Sequence, residues 1–441
     1  MGATRFRFAG LWHRTDFLRL WSGQTFSVFG SMIGATAMTF TAILYLHATP
    51  GQMGVLNSAR VVPSLLVSLL VGAWVDRVRR RSLMIWADLG RALLLSSIPL
   101  VALIGALTFE QMFIVTLAVS ILTVIFDVAY QSYLPTLIGK QYLQEGNSKL
   151  SASAAVAEFS GFSIAGWLVQ ALTAPIAILV DAGSFLVSAQ TIWLIRASEP
   201  VILPQERRDL RREIGEGLRF LWSVPGLRAS AMATTIHGLG SGVFGALVVL
   251  YMSRELGFSP GVLGIIWAVG GASSFFGAAL VPRINRRLGL GPAMIVGLGV
   301  FGVSQLLIPL ASGATLVSAL FLVAQQLGDG FYVVYGINQV SLRQEIAPEH
   351  ILGRVIAPIQ FLYLGSTLVG SIGGGWMAEM LGVRLVLVSG GCASLVAALT
   401  LGLSPLRKYK GRCVGSSETP SDGIQLSPCP AHTNPRIAHP D

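Results

Sequence analysis

Gly72-Ala73-Trp74-Val75-Asp76-Arg77-Val78-Arg79-Arg80-Arg81 puts one acid and four arginines at the end of a long apolar run. Gly277-Ala278-Ala279-Leu280-Val281-Pro282-Arg283-Ile284-Asn285-Arg286-Arg287 repeats the arrangement in the second half of the chain, with Val281 in place of the acid. A basic knot that recurs between apolar runs points to two related halves, each crossing a membrane several times. Working outward, runs of the roughly 20 residues needed to cross hydrocarbon fall at 20–46, 52–75, 83–105, 110–133, 150–171 and 175–196. Six more fall at 229–252, 260–281, 292–311, 315–340, 354–379 and 383–403. The expected fold is an all-α membrane protein, twelve transmembrane helices in two pseudo-symmetric six-helix bundles at 1–196 and 229–403. A cytoplasmic linker at 197–228 joins them, and a disordered tail rich in Pro, Ser and Gly follows at 404–441.

Composition agrees. Hydrophobic residues make up 53% and charged residues 12% of 441, too few charges to clothe a soluble protein of this size. The formal charge of +10 is spread between apolar runs, whereas a nucleic-acid domain gathers it on one face, so no nucleic-acid partner is expected. Of the 31 Lys and Arg, Arg254 and Arg384 fall on one side of the membrane and Arg60 and Arg91 within helices; the rest share the side of the termini. By the positive-inside rule both termini are cytoplasmic, in a multi-pass protein of the cell membrane. The three cysteines (Cys392, Cys413, Cys429) come late and form neither a disulfide framework nor a metal-ligand spacing, and the first apolar run reads as a retained helix.

The Gly72–Arg81 stretch resembles the cytoplasmic loop signature of the major facilitator superfamily. Arg14-Thr15-Asp16-Phe17-Leu18-Arg19-Leu20-Trp21-Ser22-Gly23-Gln24, Phe126-Asp127-Val128-Ala129-Tyr130-Gln131-Ser132-Tyr133-Leu134-Pro135, Asp181-Ala182-Gly183-Ser184-Phe185 and Glu216-Gly217-Leu218-Arg219-Phe220 resemble its drug and siderophore exporter branch. The likeness runs from about Leu11 to Leu406 and implies a central cavity opening alternately to each side, with export in exchange for protons. The chain departs from that pattern at Gly161-Phe162, where the exporters carry Gly-Pro, and at Val281.

Asp76 stands at the C-terminal end of a helix whose dipole disfavours an acid there. A gate built of Gly72, Asp76, Arg77, Arg80 and Arg81, reaching toward the helix that starts near Arg354, is expected beside the plainer reading of a topogenic charge cluster. Ionisable residues within the membrane cost about 2.5–3.5 kcal/mol each on insertion scales and are functional candidates by default. Asp88 and Arg91, spaced i, i+3, suit a structural ion pair. Asp127 and Glu158 are the proton-coupling candidates: at similar depth, mutual repulsion and desolvation would both favour the protonated acid. Each could instead be held by neighbours such as Gln131 or Ser160. Gln24, Tyr130, Gln131, Gln325, Gln326 and Asp329 are the substrate-cavity candidates, Gln325 and Asp329 sharing a face at i, i+4 near the midplane. Asp181 reads as structural, Arg60 as its partner or as snorkelling outward, and His237 as a packing residue.

Two glycine runs, Gly240-Ser241-Gly242-Val243-Phe244-Gly245 and Gly297-Leu298-Gly299-Val300-Phe301-Gly302, have dinucleotide-binding spacing but lie inside apolar helices and are discounted. The 50 glycines suit close helix packing. No phosphate-cradling lysine motif, cofactor site, metal site or set of catalytic residues is visible, so an enzyme is not expected. Glu206 to Arg219 reads as a basic amphipathic helix on an anionic inner leaflet. The expected function is a secondary transporter, acting as a monomer, that exports drug-like or siderophore-like amphipathic molecules in exchange for protons. Lipid-like solute uptake or flipping is the alternative, and a non-transporting sensor or scaffold the alternative of another class. If Asp76 gates, Asp76→Asn should fold normally yet transport slowly; full-rate flux in vesicles would reject the gate.

Overall fold

The computed structural model describes residues 11–75, 78–197, 210–348 and 351–410, with the side chains of 67–75, 140, 158–159 and 210–214 outside that description. Within hydrocarbon every backbone polar group must be satisfied inside its own segment, and the chain answers with helices throughout. They are α1 (Thr15–Phe40), α2 (Pro50–Val75), α3 (Arg80–Leu103), α4 (Phe109–Ile138), α5 (Leu143–Leu172), α6 (Ala174–Trp193), α7 (Leu210–Ser223), α8 (Pro225–Leu250), α9 (Pro260–Leu288), α10 (Leu290–Gln305), α11 (Leu316–Ile346), α12 (Leu352–Leu381) and α13 (Val383–Gly402). No strand occurs among the described residues. Eleven described helices are long and apolar enough to span a membrane. The other long one, α2, has 26 residues, about 39 Å at 1.5 Å per residue.

The helices pack in two matching sets. In the first half the neighbours run α5, α1, α6, α3, α4, α2; in the second they run α12, α8, α13, α10, α11, α9, the same order with each helix moved on by seven. The halves meet where α2 lies on α12 and α5 on α9. Matching details recur at the junctions. α1 and α8 each end in a π-helical turn, Thr41–Tyr45 and Tyr251–Glu255, and the next helix starts with Pro50 or Pro260. Thr108 and Thr315 each cap the following helix, accepting from Gln111 N and Ser318 N. His47 and Gly257 both take positive φ before α2 and α9, and Thr173 and Gly382 do so between α5 and α6 and between α12 and α13.

Several helices overrun the apolar runs that revealed them. α4 continues to Ile138, α9 to Leu288 and α11 to Ile346, while α5 starts at Leu143. Hydropathy marks the hydrocarbon, but a helix stops where its backbone is capped, and α4 and α9 stop at Gly139 (φ 81°) and Gly289 (φ 90°). Asp127 therefore lies about three turns from the end of α4. The linker helix α7 does not simply lie on a membrane surface. Glu216 pairs with Arg354 at 2.7 Å, Gly217 sits against the Arg354 carbonyl, and Leu221 packs with Val355 and Ile359 of α12. The tail expected to be disordered from 404 begins ordered: Pro405–Lys408 form a helical turn with Leu406 buried, and the Tyr409 hydroxyl donates to Glu345 Oε2 at 2.9 Å. Residues 198–209 and 411–441 lie outside the described residues.

Within the first half, Gly23, Gly30 and Gly34 let α1 settle on α6; a Cβ at Gly30 would come within 3.3 Å of the Asp181 backbone. α3 carries a buried pair, Asp88 with Arg91, both almost fully enclosed. The Arg91 guanidinium is sandwiched between the rings of Phe126 on α4 (4.4 Å) and Phe185 on α6 (4.0 Å), so one charge knits three helices. Removing one member of such a pair strands the other, at a cost of about 3–5 kcal/mol. Asp88→Ala should therefore lower the unfolding temperature sharply in detergent, and Asp88→Leu with Arg91→Met should recover most of the loss; equal stability of the two variants would show the pair to be unimportant to the fold.

Candidate functional site

α1 turns its α6 face inward through glycines, which leaves Gln24, Thr25 and Val28 for the opposite side. There they meet Tyr130 of α4 and the first turns of α5 around a cavity of about 290 Å³, with Asn147, Ser151 and Ser153 on its wall. Two of the sequence candidates, Gln24 and Tyr130, thus share one cavity. Gln24 Nε2 is buried beside this cavity with no hydrogen-bond partner. Tyr130 stacks on Phe126 with ring centroids 6.2 Å apart, and through Phe126 the cavity wall rests on the Asp88–Arg91 pair.

Asp127 stands on α4 one turn from Tyr130, at i−3, and is exposed with no described hydrogen-bond partner. Gln131 is also exposed but does not line the cavity. The side chain of Glu158 lies outside the described residues, so its distance from Asp127 stays open. Ser160 turns back to its own helix, donating to the Val156 carbonyl.

The second-half candidates form a separate cluster that does not reach this cavity. Gln325 and Gln326 are buried, and Gln325 Nε2 lies 3.4 Å from Asp329 Oδ1. Gly270 of α9 makes room for them: a Cβ there would lie 2.7 Å from Asp329 Oδ2. Next to Asp329 a neighbour bonds the backbone of α11, as Ser273 Oγ accepts from Gly330 N at 2.9 Å and donates to the Leu327 carbonyl at 2.8 Å.

In the expected gate, Gly72 lies on α2, while Asp76 and Arg77 lie outside the described residues. Arg80 donates to the Ser132 carbonyl of α4 and Arg81 Nε to the Ile192 carbonyl of α6, each at 3.1 Å, so both arginines fasten α3 within its own half. Arg60 and Asp181 are not a pair. Arg60 donates to the Ala35 carbonyl and Thr39, and Asp181 accepts from Ser31 at 3.2 Å. His237 is buried, with Nδ1 3.1 Å from Ser394 Oγ and its ring against Tyr332 and Phe301. No group of three His, Cys, Asp or Glu able to hold a metal occurs among the described residues.

Sequence reasoning missed Asn147, Ser151 and Ser153. The signal was present: Asn147, Ser151 and Ala154 repeat at i, i+4, i+7 on one helix face, but a helix started at 150 by hydropathy cuts it off. Asn147→Leu, which fills the cavity without touching a packed seam, should raise KM for a transported compound several-fold with expression unchanged; unaltered KM would remove this cavity from the substrate path.

Comparison with known proteins places the arrangement. A model of the family described as transmembrane secretion effector matches residues 7–427. The MFS-type transporter YfiS of Bacillus subtilis is 25% identical over 389 residues, covering 87% of this chain and 91% of its own length. The multidrug efflux pump Tap of Mycolicibacterium fortuitum is 25% identical over 381 residues, covering 80% and 88%. Among solved structures, the nucleoside transporter NupG superposes with a TM-score of 0.71 at 14% identity, covering 89% of this chain and 99% of that one. A bacterial homologue of the iron transporter ferroportin in an inward-facing state gives 0.71 at 18%, covering 88% and 97%.

Proposed function

The chain belongs to the transmembrane secretion effector family of major facilitator transporters, and from that premise we propose that it exports small amphipathic organic molecules from the cytoplasm in exchange for protons. The observation that carries this reading is Asp127, an acid within a spanning helix, exposed and without a described hydrogen bond, one turn from the cavity that Gln24 and Tyr130 line. A carboxylate so placed accepts no described hydrogen bond, with the Arg91 charge nearby but bonded to Asp88, so it is available to a proton or to a cargo. Likeness to a relative named as a multidrug efflux pump supports the outward direction.

In this reading the bundles at 1–196 and 229–403 rock against each other, both termini lie in the cytoplasm, and the cell membrane is the site of action. Glu158 shares the coupling with Asp127, Asp76 gates the cytoplasmic side, and the basic turns of α7 rest on anionic lipid while its other end is docked on α12. Gln325, Gln326 and Asp329 offer hydrogen bonds and a charge to the cargo from the second half.

One observation favours a lipid-like cargo as the second reading. An apolar groove of about 630 Å³ between α1 and α5, lined by Trp21, Phe26, Phe29 and Val156, shares Thr25 and Ser153 with the polar cavity. A molecule with an apolar tail and a polar head would fit that pair of spaces. In vesicles carrying a pH gradient, wild-type protein should drive drug efflux that Asp127→Asn loses by tenfold or more, while exchange without a gradient survives. Flux in the variant that follows the gradient unchanged would refute coupling at Asp127; lipid scrambling without drug flux would favour the second reading.

A further inference from the structure

The hydrogen bonds that join described residues of the two halves lie toward the end of the molecule away from the termini, the deepest being Asn57 Nδ2 of α2 on Ser371 Oγ of α12 at 2.7 Å. Two of them are the same device used twice. α2 opens with Pro50-Gly51 and α9 with Pro260-Gly261, and first-turn amides of a helix have no acceptor of their own. At α2 the acceptor comes from the other half: Glu379 Oε1, on the last turn of α12, takes Gly51 N at 3.1 Å and the Thr49 hydroxyl at 2.6 Å. At α9 it again comes from the other half: Gln170 Oε1, on the last turn of α5, takes Gly261 N at 2.9 Å. Ser259, the residue placed to cap α9, makes no side-chain cap.

Glu379 and Gln170 are equivalents under the internal repeat. Each stands three residues before the positive-φ junction, Gly382 or Thr173, that leads into the next helix. Their approach depends on glycine after the proline, since a Cβ at Gly51 would lie 2.6 Å from Glu379 Oε1. Arg254 adds a third tie, donating from the second half to the Ala48 carbonyl at 2.9 Å and the Ile43 carbonyl at 2.8 Å.

We propose that Glu379 and Gln170 are paired gate residues, reciprocal helix caps by which each half holds the other shut at this end, released together when the halves rock. This rests on the alternating-access reading above and names side chains that set its balance. Both side chains are exposed, so water takes over the freed amides when the caps part, and the joint is reversible. A cap in a dry interior would be permanent, because an unmet buried donor is costly. The two caps differ in strength. The Glu379 carboxylate faces the positive end of α2 and gains from its charge, whereas the Gln170 amide does not.

The test reads the closed end directly. Spin labels at Ile104→Cys and Leu316→Cys, both exposed, one in each half, report their separation in lipid nanodiscs by pulsed electron resonance, with Cys392, Cys413 and Cys429 replaced. A lost cap is worth about fivefold in population. Glu379→Ala should raise the open fraction by about that factor, Gln170→Ala by about twofold, and the double variant by about their product. Glu379→Gln, which keeps an acceptor, should fall between wild type and Glu379→Ala. Gly51→Ala should mimic Glu379→Ala without touching the carboxylate, which keeps the test open if that variant folds poorly. Gln170→Glu should move the balance the other way, toward closure, a sign that mere structural damage would not give. A two-population wild-type distribution that none of these variants shifts overturns the gate while leaving rocking intact. A single distance in wild type and double variant alike overturns both.

Discussion

Inside a bilayer, helices gain nothing by hiding apolar faces from one another, so close backbone approach has to hold them together. Glycine supplies it at nearly every seam of this protein. Gly23, Gly30 and Gly34 seat α1 on α6, Gly277 meets Gly330 between α9 and α11, and Gly242 rests on the Thr367 carbonyl between α8 and α12. Between the halves, Gly54 meets Gly375 and Gly166 meets Gly264. The same contact chemistry thus builds both the rigid parts and the joint between them, and something further must make one permanent and the other reversible.

The difference lies in what accompanies the glycines. Within the first half the seams also hold buried charge, with Arg91 enclosed between two rings and tied to Asp88. Within the second half, Ser394 links His237 to Gln305 and Asn285 donates to Asn338 at 2.6 Å, so neutral groups meet one another away from water. Parting such seams would strand polar atoms in hydrocarbon, several kcal/mol at a time. Between the halves Asn57 donates to the buried Ser371 at 2.7 Å, but at the rim the partners Glu379, Thr49 and Gln170 are exposed, and water replaces each of those lost bonds at small net cost. The distribution of polar groups thus sets stiff halves against a wet rim between them.

Much of the fold was legible because hydropathy is a bilayer signal and the bilayer dictates helix. The helix ends were less legible, for the physical reason that capping, not apolarity, stops a helix; Gly139 and Gly289 gave the stops of α4 and α9, and the apolar runs ended earlier. The internal repeat showed in one loop pair, since arginines there are required in both halves. Elsewhere it survives only as backbone: His47 stands for Gly257 and Thr173 for Gly382 in the same left-handed turn, at about 1–2 kcal/mol for a side chain. In the site, Gln24 and Tyr130 were legible as polar groups on apolar helices. Asn147 was not, because it lies beyond the hydrocarbon, where polarity carries no surprise. The pairing of Arg60 with Asp181 failed because sequence gives depth along a helix but not its rotation, which turns Arg60 to Ala35 and Thr39.

The two halves have kept one backbone while dividing the chemistry. Asp76, Asp88, Arg91, Asp127, Glu158 and Asp181 all fall in the first half, where the second half keeps Asp329 as its one acid in a helix interior. Asp88 is committed to Arg91 and Asp181 to serines, so of the described acids within first-half helix interiors Asp127 is left without a bond. Asp329 is held by Gln325 at 3.4 Å, on a stretch of α11 whose backbone Ser273 also bonds. Counted from matching caps at Thr108 and Thr315, Asp127 lies five residues deeper along its helix than Asp329, about 7–8 Å nearer the termini. Two uncommitted acids at different depths, one in each half, cannot share a single proton or a single small ion at once. A single contact reaching both acids would have to span that offset, which an elongated molecule can do and a compact ion cannot.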